Sequence, residues 1–312
     1  MNFTLTLSLV MLASYGLANL LISVALALCW RGGLFRSVVR ADTIFAVRCV
    51  PTLGSALFVL TVVLPAFVLY EPQHADDKPG ALLLICAALG VAMVADGIRR
   101  LWRSWRATDA FVRKIRPLST RSLAADTEVS LIEVRQPLVA LLGTWRQRIV
   151  AARAVAMACD GEEFRQVIAH EAAHRDARDN QKFLAMVALP DVLAWLPAGA
   201  GLVAIWRAAS ELEADERASG ADPNKRVALA SALLKVARLG LADHRPRRLM
   251  RGRNHVDGLE LRIRRLLAPS PGFARAFPSR RVLTSALLLP LLAMPLYAMI
   301  HRVIEVLVAF GR

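Results

Sequence analysis

His170-Glu171-Ala172-Ala173-His174 is the stretch around which this chain is organised. A spacing of four on a helix sets both imidazoles on one face, one turn apart, so both reach a single metal ion. Glu171, beside the first of them, stands where it can take a proton from a metal-bound water. The plain alternative is an exposed helix carrying two chance histidines among the six in the chain. A third donor decides between the two.

Ser210-Glu211-Leu212-Glu213-Ala214-Asp215-Glu216-Arg217, on a later helix, supplies it. Glu211 and Asp215 are four apart and share a helical face. Glu211 completes a set of two histidines and one glutamate, with the fourth position left for water. Asp215, one turn on, is placed to accept the N–H of a ligating imidazole and fix its tautomer. Glu213 points elsewhere. Alone, the acidic run would be a solvated helix face. Joined to the two-histidine motif it predicts one Zn2+ per chain, held by His170, His174 and Glu211, because N and O donors in this combination suit zinc best.

Outward from the motif, Asp160 and Glu163 have the spacing of a capping box that opens the metal helix. Charged residues flank it (Glu162, Glu163 and Arg165 before; Arg175, Asp176, Arg178 and Asp179 after), which predicts a site at an aqueous surface, not mid-bilayer. Before it, Glu128 to Val134, Leu138 to Gly143 and Gln147 to Ala152 are rich in Val, Ile and Leu and bounded by Pro137 and Gly143. They read as strands of a small sheet. A protein or peptide substrate would lie extended along an edge strand of that sheet.

The 312 residues couple 56% hydrophobic composition with a formal charge of +15. Soluble proteins rarely combine the two, whereas membrane proteins with basic cytosolic loops do so routinely. Apolar spans are expected at about 4–30, 49–70 and 81–98, with a last one at about 282–300. Arg31, Arg36 and Arg40 follow the first; Arg99, Arg100, Arg103, Arg106, Arg113, Lys114 and Arg116 follow the third. Positive charge marks the cytosolic side. The expectation is a protein of a bacterial-type inner membrane, N-terminus outside and metal site in the cytosol. Three spans would occupy 1–98, a cytosolic domain 99–281, and a final span with a short tail 282–312. The four cysteines lie far apart and read as packing residues.

Phe183 to Trp206 is apolar but broken by Pro190-Asp191, Pro197, Gly199 and Gly201. A single crossing there would strand Glu211 across the membrane from His170, so a hairpin at 183–206 that dips and returns is expected. Arg245 to Arg281 is dense in arginine and predicts contact with anionic lipid headgroups. No recognition helix or set of stacking aromatics stands out, so no direct nucleic-acid partner is expected. A homo-oligomer is compatible with this reading.

Zinc would polarise a scissile carbonyl while Glu171 moved protons to and from water and the leaving amine. The developing oxyanion needs a donor. All three tyrosines lie in or beside apolar spans, which leaves His244, His255 and Arg217 open as alternatives.

HEAAH followed by Asp179-Asn180, an apolar hairpin and Glu211-Leu212-Glu213-Ala214-Asp215 resembles the BlaR/MecR-type integral-membrane metallopeptidases, gluzincins of antirepressor systems. Gln136 to Gly143 and Arg148-Ile149-Val150 are similar to the strand pair those proteins carry before the metal helix. The resemblance implies a mainly α, multi-pass membrane protein with a small α+β, zincin-like metalloprotease domain. It implies His170, His174 and Glu211 as ligands, Glu171 as catalytic base and Asp215 behind a ligand. It also implies an endopeptidase whose substrate is a cytosolic or membrane-proximal protein such as a transcriptional repressor. Antibiotic-sensing members carry an extracellular penicillin-binding domain after the last span; here about a dozen residues follow the expected span, so direct β-lactam sensing is not expected. HtpX- and CAAX-type proteases share the two-His and Glu-x-x-Ala-Asp patterns and form the nearest alternative. A non-proteolytic membrane transducer or scaffold is the alternative from another class.

Overall fold

A computed structural model describes residues 3–35, 40–70, 79–115, 119–124, 127–134, 136–242 and 254–268. Three helices in it are long and apolar enough to cross a membrane: Phe3–Arg31, Ala41–Leu69 and Ala81–Arg113, each only 28–33% buried over its most apolar stretch. Leucines and isoleucines such as Leu21, Leu53, Leu69 and Ile85 therefore face outward over long apolar surfaces. Such surfaces are stable against lipid and not against water.

The first of these is α1 (Phe3–Arg31). The second begins as α2 (Ala41–Phe58), passes through a π-helical segment (Val59–Val63) and ends as α3 (Leu64–Tyr70). Pro65 lacks an amide hydrogen, and its ring crowds the carbonyl four residues back. A π bulge just ahead of it relieves that clash without breaking the span. The third is α4 (Ala81–Ile115), which crosses α1 where Gly16 meets Gly90. A Cβ on either would overlap the partner's backbone, so only glycine permits this approach.

The second span starts at Ala41 and not near residue 49 as expected. Arg48 lies within the helix, 2% exposed, with Nη1 2.5 Å from Oδ2 of the fully buried Asp191. Its charge is neutralised inside the protein by that carboxylate. The third helix also runs past its expected end, to Ile115. The expected span at 282–300 lies outside the described residues.

A four-stranded sheet follows: β1 (Ser119–Ala124), β2 (Thr127–Ile132), β3 (Val139–Leu142) and β4 (Arg148–Ala152), in the order β1-β2-β4-β3. Only β2 and β4 run parallel. Strand β1 was not expected; its sequence, Ser-Thr-Arg-Ser-Leu-Ala, lacks the β-branched and aromatic run that marks the others.

The short helix α5 (Arg153–Ala158) leads to α6 (Gly161–Asp176), whose capping box is formed as its sequence implies. Asp160 Oδ1 accepts from the Glu162 and Glu163 amides, and Glu163 Oε2 accepts from the Asp160 amide. One face of α6 packs Ile168 against Val129, Leu141, Ile149 and Ala151 of the sheet. Then come α7 (Asp179–Ala188), a 3-10 turn (Val192–Trp195), α8 (Pro197–Ser219), α9 (Pro223–Ala242) and α10 (Asn254–Leu267).

Helices α7 and α8 form a hairpin whose tip sits among the spans. Tyr15 and Asn19 side chains donate to the Pro190 carbonyl, and Arg48 and Thr52 donate to Asp191. Residue 97 of α4 packs on Ala188 and Pro190. Phe3 and Phe67 meet as a tilted ring pair in one cluster with Leu83, so the three spans share an end. Counted from that end at about 1.5 Å per residue, the tip meets the three helices about 18–28 Å along them. A hydrocarbon core is about 30 Å thick. The hairpin tip is therefore held part-way along the three apolar helices.

Candidate metal centre

Because the hairpin returns, α8 packs alongside α6, and three donors converge. His170, His174 and Glu211 offer one ligand atom each within 4.8 Å of one another, a group that could hold a metal ion. The two Nε2 atoms are 3.2 Å apart. His170 Nε2 lies 3.5 Å from Glu211 Oε2, and His174 Nε2 3.7 Å from Oε1. Tetrahedral zinc with bonds of about 2.0–2.1 Å requires donors about 3.3 Å apart. The two nitrogens match that edge, and each has a different Glu211 oxygen within a few tenths of an ångström of it.

Both rings are held from behind. His174 Nδ1 sits 2.7 Å from Asp179 Oδ2. With Nδ1–H donating to that carboxylate, the Nε2 lone pair is left for a metal. Asp179 is brought there by the short turn between α6 and α7. Arg178 between α6 and α7 adopts the left-handed conformation, φ 58°, as no other non-glycine among the described residues does. This reverses the chain in two residues. His170 Nδ1 lies 3.0 Å from Asp215 Oδ1, off the line of its N–H, and has no aligned acceptor. Asp215 turns both oxygens to another partner.

That partner is Arg262, from α10. Its Nε and Nη2 each donate to Asp215 at 2.7 Å. Nη1 reaches Glu211 Oε2 at 2.7 Å, and Nη2 comes within 3.4 Å of His170 Nε2. One guanidinium thus spans both carboxylates that sequence spacing put on the face of α8. Glu211 keeps its Oε1 for a metal while Oε2 is held by Arg262.

The cluster's electrostatics follow from this crowding. Burial opposes charge on His170, but the facing Asp215 and Glu211 carboxylates outweigh it and lift the imidazole to about 9. Burial also opposes charge on Glu211; the His170 contact and the Arg262 charge overcome it and hold the carboxyl well below its usual range. Asp215 is lowered against its burial for the same reasons. Glu171 lies about 100° round the helix from His170, half-buried, and its charge acts on Arg262.

Of the expected oxyanion donors, Arg217 is engaged elsewhere, pairing with Glu213 one turn back at 2.8 Å. His255 falls on α10, with its side chain outside those described; His244 lies outside the described residues. Asp179 and Arg262 are the contributors that spacing did not single out.

The residue after Asp179 organises the sheet. Asn180 Nδ2 donates to the Leu141 and Gly143 carbonyls at 2.9 and 2.8 Å, and Gln181 donates to Thr144 at 3.1 Å. Leu138 accepts from Ala152 of β4, so by alternation residues 139, 141 and 143 turn their backbone groups to the open edge. The Asp179-Asn180 pair therefore joins a metal donor to an edge strand.

No protein-family model matches the chain, and neither does any curated protein or solved structure compared with it.

Proposed function

We propose that this protein is a membrane-embedded, zinc-dependent endopeptidase that cleaves a protein segment at the membrane surface. The observation that carries this is the convergence of His170, His174 and Glu211, with Glu171 next to His170 on the helix that bears both histidines. A structural zinc site uses four protein donors; three donors with a free carboxylate beside them suit catalysis. A bound zinc would act as a Lewis acid and lower the pKa of water.

The chain's own groups take the remaining roles. His170, His174 and Glu211 hold the ion, Asp179 orients the His174 ring, and Asp215 places negative charge beside His170. Glu171 accepts a proton from water and returns it to the leaving amine. Arg262 fixes Glu211 and Asp215 and brings a cationic edge within 3.4 Å of His170 Nε2, where it can act on negative charge that develops in acyl transfer. The part of the β3 edge that Asn180 leaves uncovered, at Val139, is where an extended peptide would add. A cytosolic substrate such as a transcriptional repressor fits the basic exits of α1 and α4, which orient the site to the inner face of a bacterial-type membrane.

Zinc analysis of the full chain in detergent, with a peptide-library cleavage assay, tests the reading. Glu171→Gln is expected to keep one zinc per chain and lose cleavage by about 10²–10⁴. Full cleavage by that variant, or no zinc in the unmodified protein, would overturn it.

A further inference from the structure

The second span divides its packing between two cores. Its outer half, Val59, Val63 and Phe67, packs with Val10 and Ala13 of α1 and Leu83 and Ala87 of α4. Its inner end, Ala41 and Ile44, packs with Met186 of α7 and Leu202, Trp206 and Ala209 of α8. The π segment, Val59–Val63, with Pro65 just beyond, lies where the first core takes over from the second. π bulges and prolines are where helices bend.

The inner end is fastened to both arms of the hairpin. No side chain caps α2 at Arg40; instead Glu213 Oε1, from α8, accepts the Ala41 amide at 2.8 Å. Glu213 is itself held by Arg217 through Oε2. A carboxylate is the natural partner of a helix N-terminus. On the other side Lys182 of α7 pairs with Asp42 at 2.5 Å. Glu213 is two residues from Glu211, and Lys182 is three from Asp179. Each fastening therefore lies within one turn of a side chain that builds the metal centre.

We infer that the second span is a control rod for the metal centre: bending at Val59–Val63 moves Ala41 and Asp42, which carry Glu213 and Lys182, and so shifts Glu211 against the His174–Asp179 pair. This rests on the metal-centre reading for its consequence, and on the span's own contacts for its mechanics. Bilayer thickness acts directly on such a helix, because mismatch changes tilt and kink.

The test uses the full chain in nanodiscs of dimyristoleoyl or dierucoyl phosphatidylcholine, each with some phosphatidylglycerol. Hydrogen exchange of residues 41–58 and 179–219 is followed by mass spectrometry, and zinc affinity by chelator competition. In the unmodified protein both peptides and the zinc affinity are expected to change together, the affinity by about fivefold or more. In Lys182→Ala with Glu213→Ala, the 41–58 peptides still respond to thickness, while the response of the 210–219 peptides and of the affinity is about halved or less; the peptides around Asp191, held to the same span by Arg48 and Thr52, keep theirs. Lys182→Arg retains the coupling. Exchange in 179–219 that ignores thickness in the unmodified protein, or exchange in 210–219 that follows it equally in the double variant, overturns the inference. Coupled exchange without any zinc binding leaves the control rod standing and sinks the metal-centre reading instead.

Discussion

Arg262 grips Asp215 with two hydrogen bonds of 2.7 Å each, from a helix that begins 39 residues after Asp215. The pair is 16% and 5% exposed at the side chains, so neither charge has adequate water to fall back on. The same guanidinium holds Glu211. This makes α10 part of the candidate metal centre and not a neighbour of it.

Truncating Arg262 leaves two carboxylates facing each other beside His170. Breaking a buried ion pair by removing one partner costs about 3–5 kcal/mol. Arg262→Ala is therefore expected to lower the unfolding free energy by about 3 kcal/mol in metal-free protein, read by denaturant unfolding in detergent. Added zinc should recover part of that loss, since a cation returns to the acidic pair. An unchanged midpoint would mean Arg262 is a surface contact.

Arg48 and Asp191 make a second buried pair, between α2 and the hairpin tip, at 2% and 0% exposure. Arg48 Nε has no partner, so the pair is incompletely satisfied. Arg48→Met alone strands Asp191 and is expected to destabilise by about 3–5 kcal/mol. Arg48→Met with Asp191→Leu removes both charges and should recover most of the loss. Thermal unfolding of the two variants side by side decides it; a double variant as weak as the single would show that the charges do more than cancel.

How far these arrangements can be read from sequence depends on distance along the chain. His170, His174, Glu211 and Asp215 sit at helical spacing on two helices, and helical period is a local property. The hairpin follows from the same logic, because Glu211 has to return to the side of His170. Asp179 is five residues from His174, a spacing that on one continuous helix would point it away. Only the left-handed turn at Arg178 brings it back, and no residue preference marks that turn. Arg262 is one arginine in a stretch crowded with them, and nothing local separates the one that faces a carboxylate pair. Arg48 is hidden for the same reason: the carboxylate that neutralises its charge inside the second span lies 143 residues on.

Asp179 holds His174 at 2.7 Å and is itself buried. Carboxylates behind ligating imidazoles fix tautomer and orientation, and removing one costs about 10–100-fold in metal affinity. Asp179→Asn keeps the shape but can present an N–H to Nδ1, favouring the tautomer that blocks Nε2. Zinc affinity by chelator competition is expected to fall by about 10–100-fold, with far-UV circular dichroism unchanged. Asn180→Ala separates the neighbours: it frees the Leu141 and Gly143 carbonyls and should leave zinc affinity within about threefold. Equal losses in both variants would show that the turn as a whole matters, not the carboxylate.

The acid–base behaviour of the metal-free centre gives a prediction with a definite sign. His170 is raised from 6.5 to about 9 by its facing carboxylates, so it carries a proton at neutral pH. A raised imidazole adds stability that is fully present below about 6.5 and disappears as pH climbs through about 9. Metal binding runs the other way, since a ligating imidazole has to give up the proton that the acids hold there. Glu211 is held low and is already ionised throughout this window, so it contributes no slope. Zinc affinity measured with chelator-buffered metal should rise by up to about tenfold per pH unit from pH 7 toward 9 and then flatten. Calorimetry in buffers of different ionisation heat should report about one proton released per zinc at pH 7. In Asp215→Asn, one of the acids that raise His170 is gone, and the rise should move to lower pH. A flat affinity across pH 7–9 in the unmodified protein would mean that His170 is neutral there, with its Nε2 free before the metal arrives.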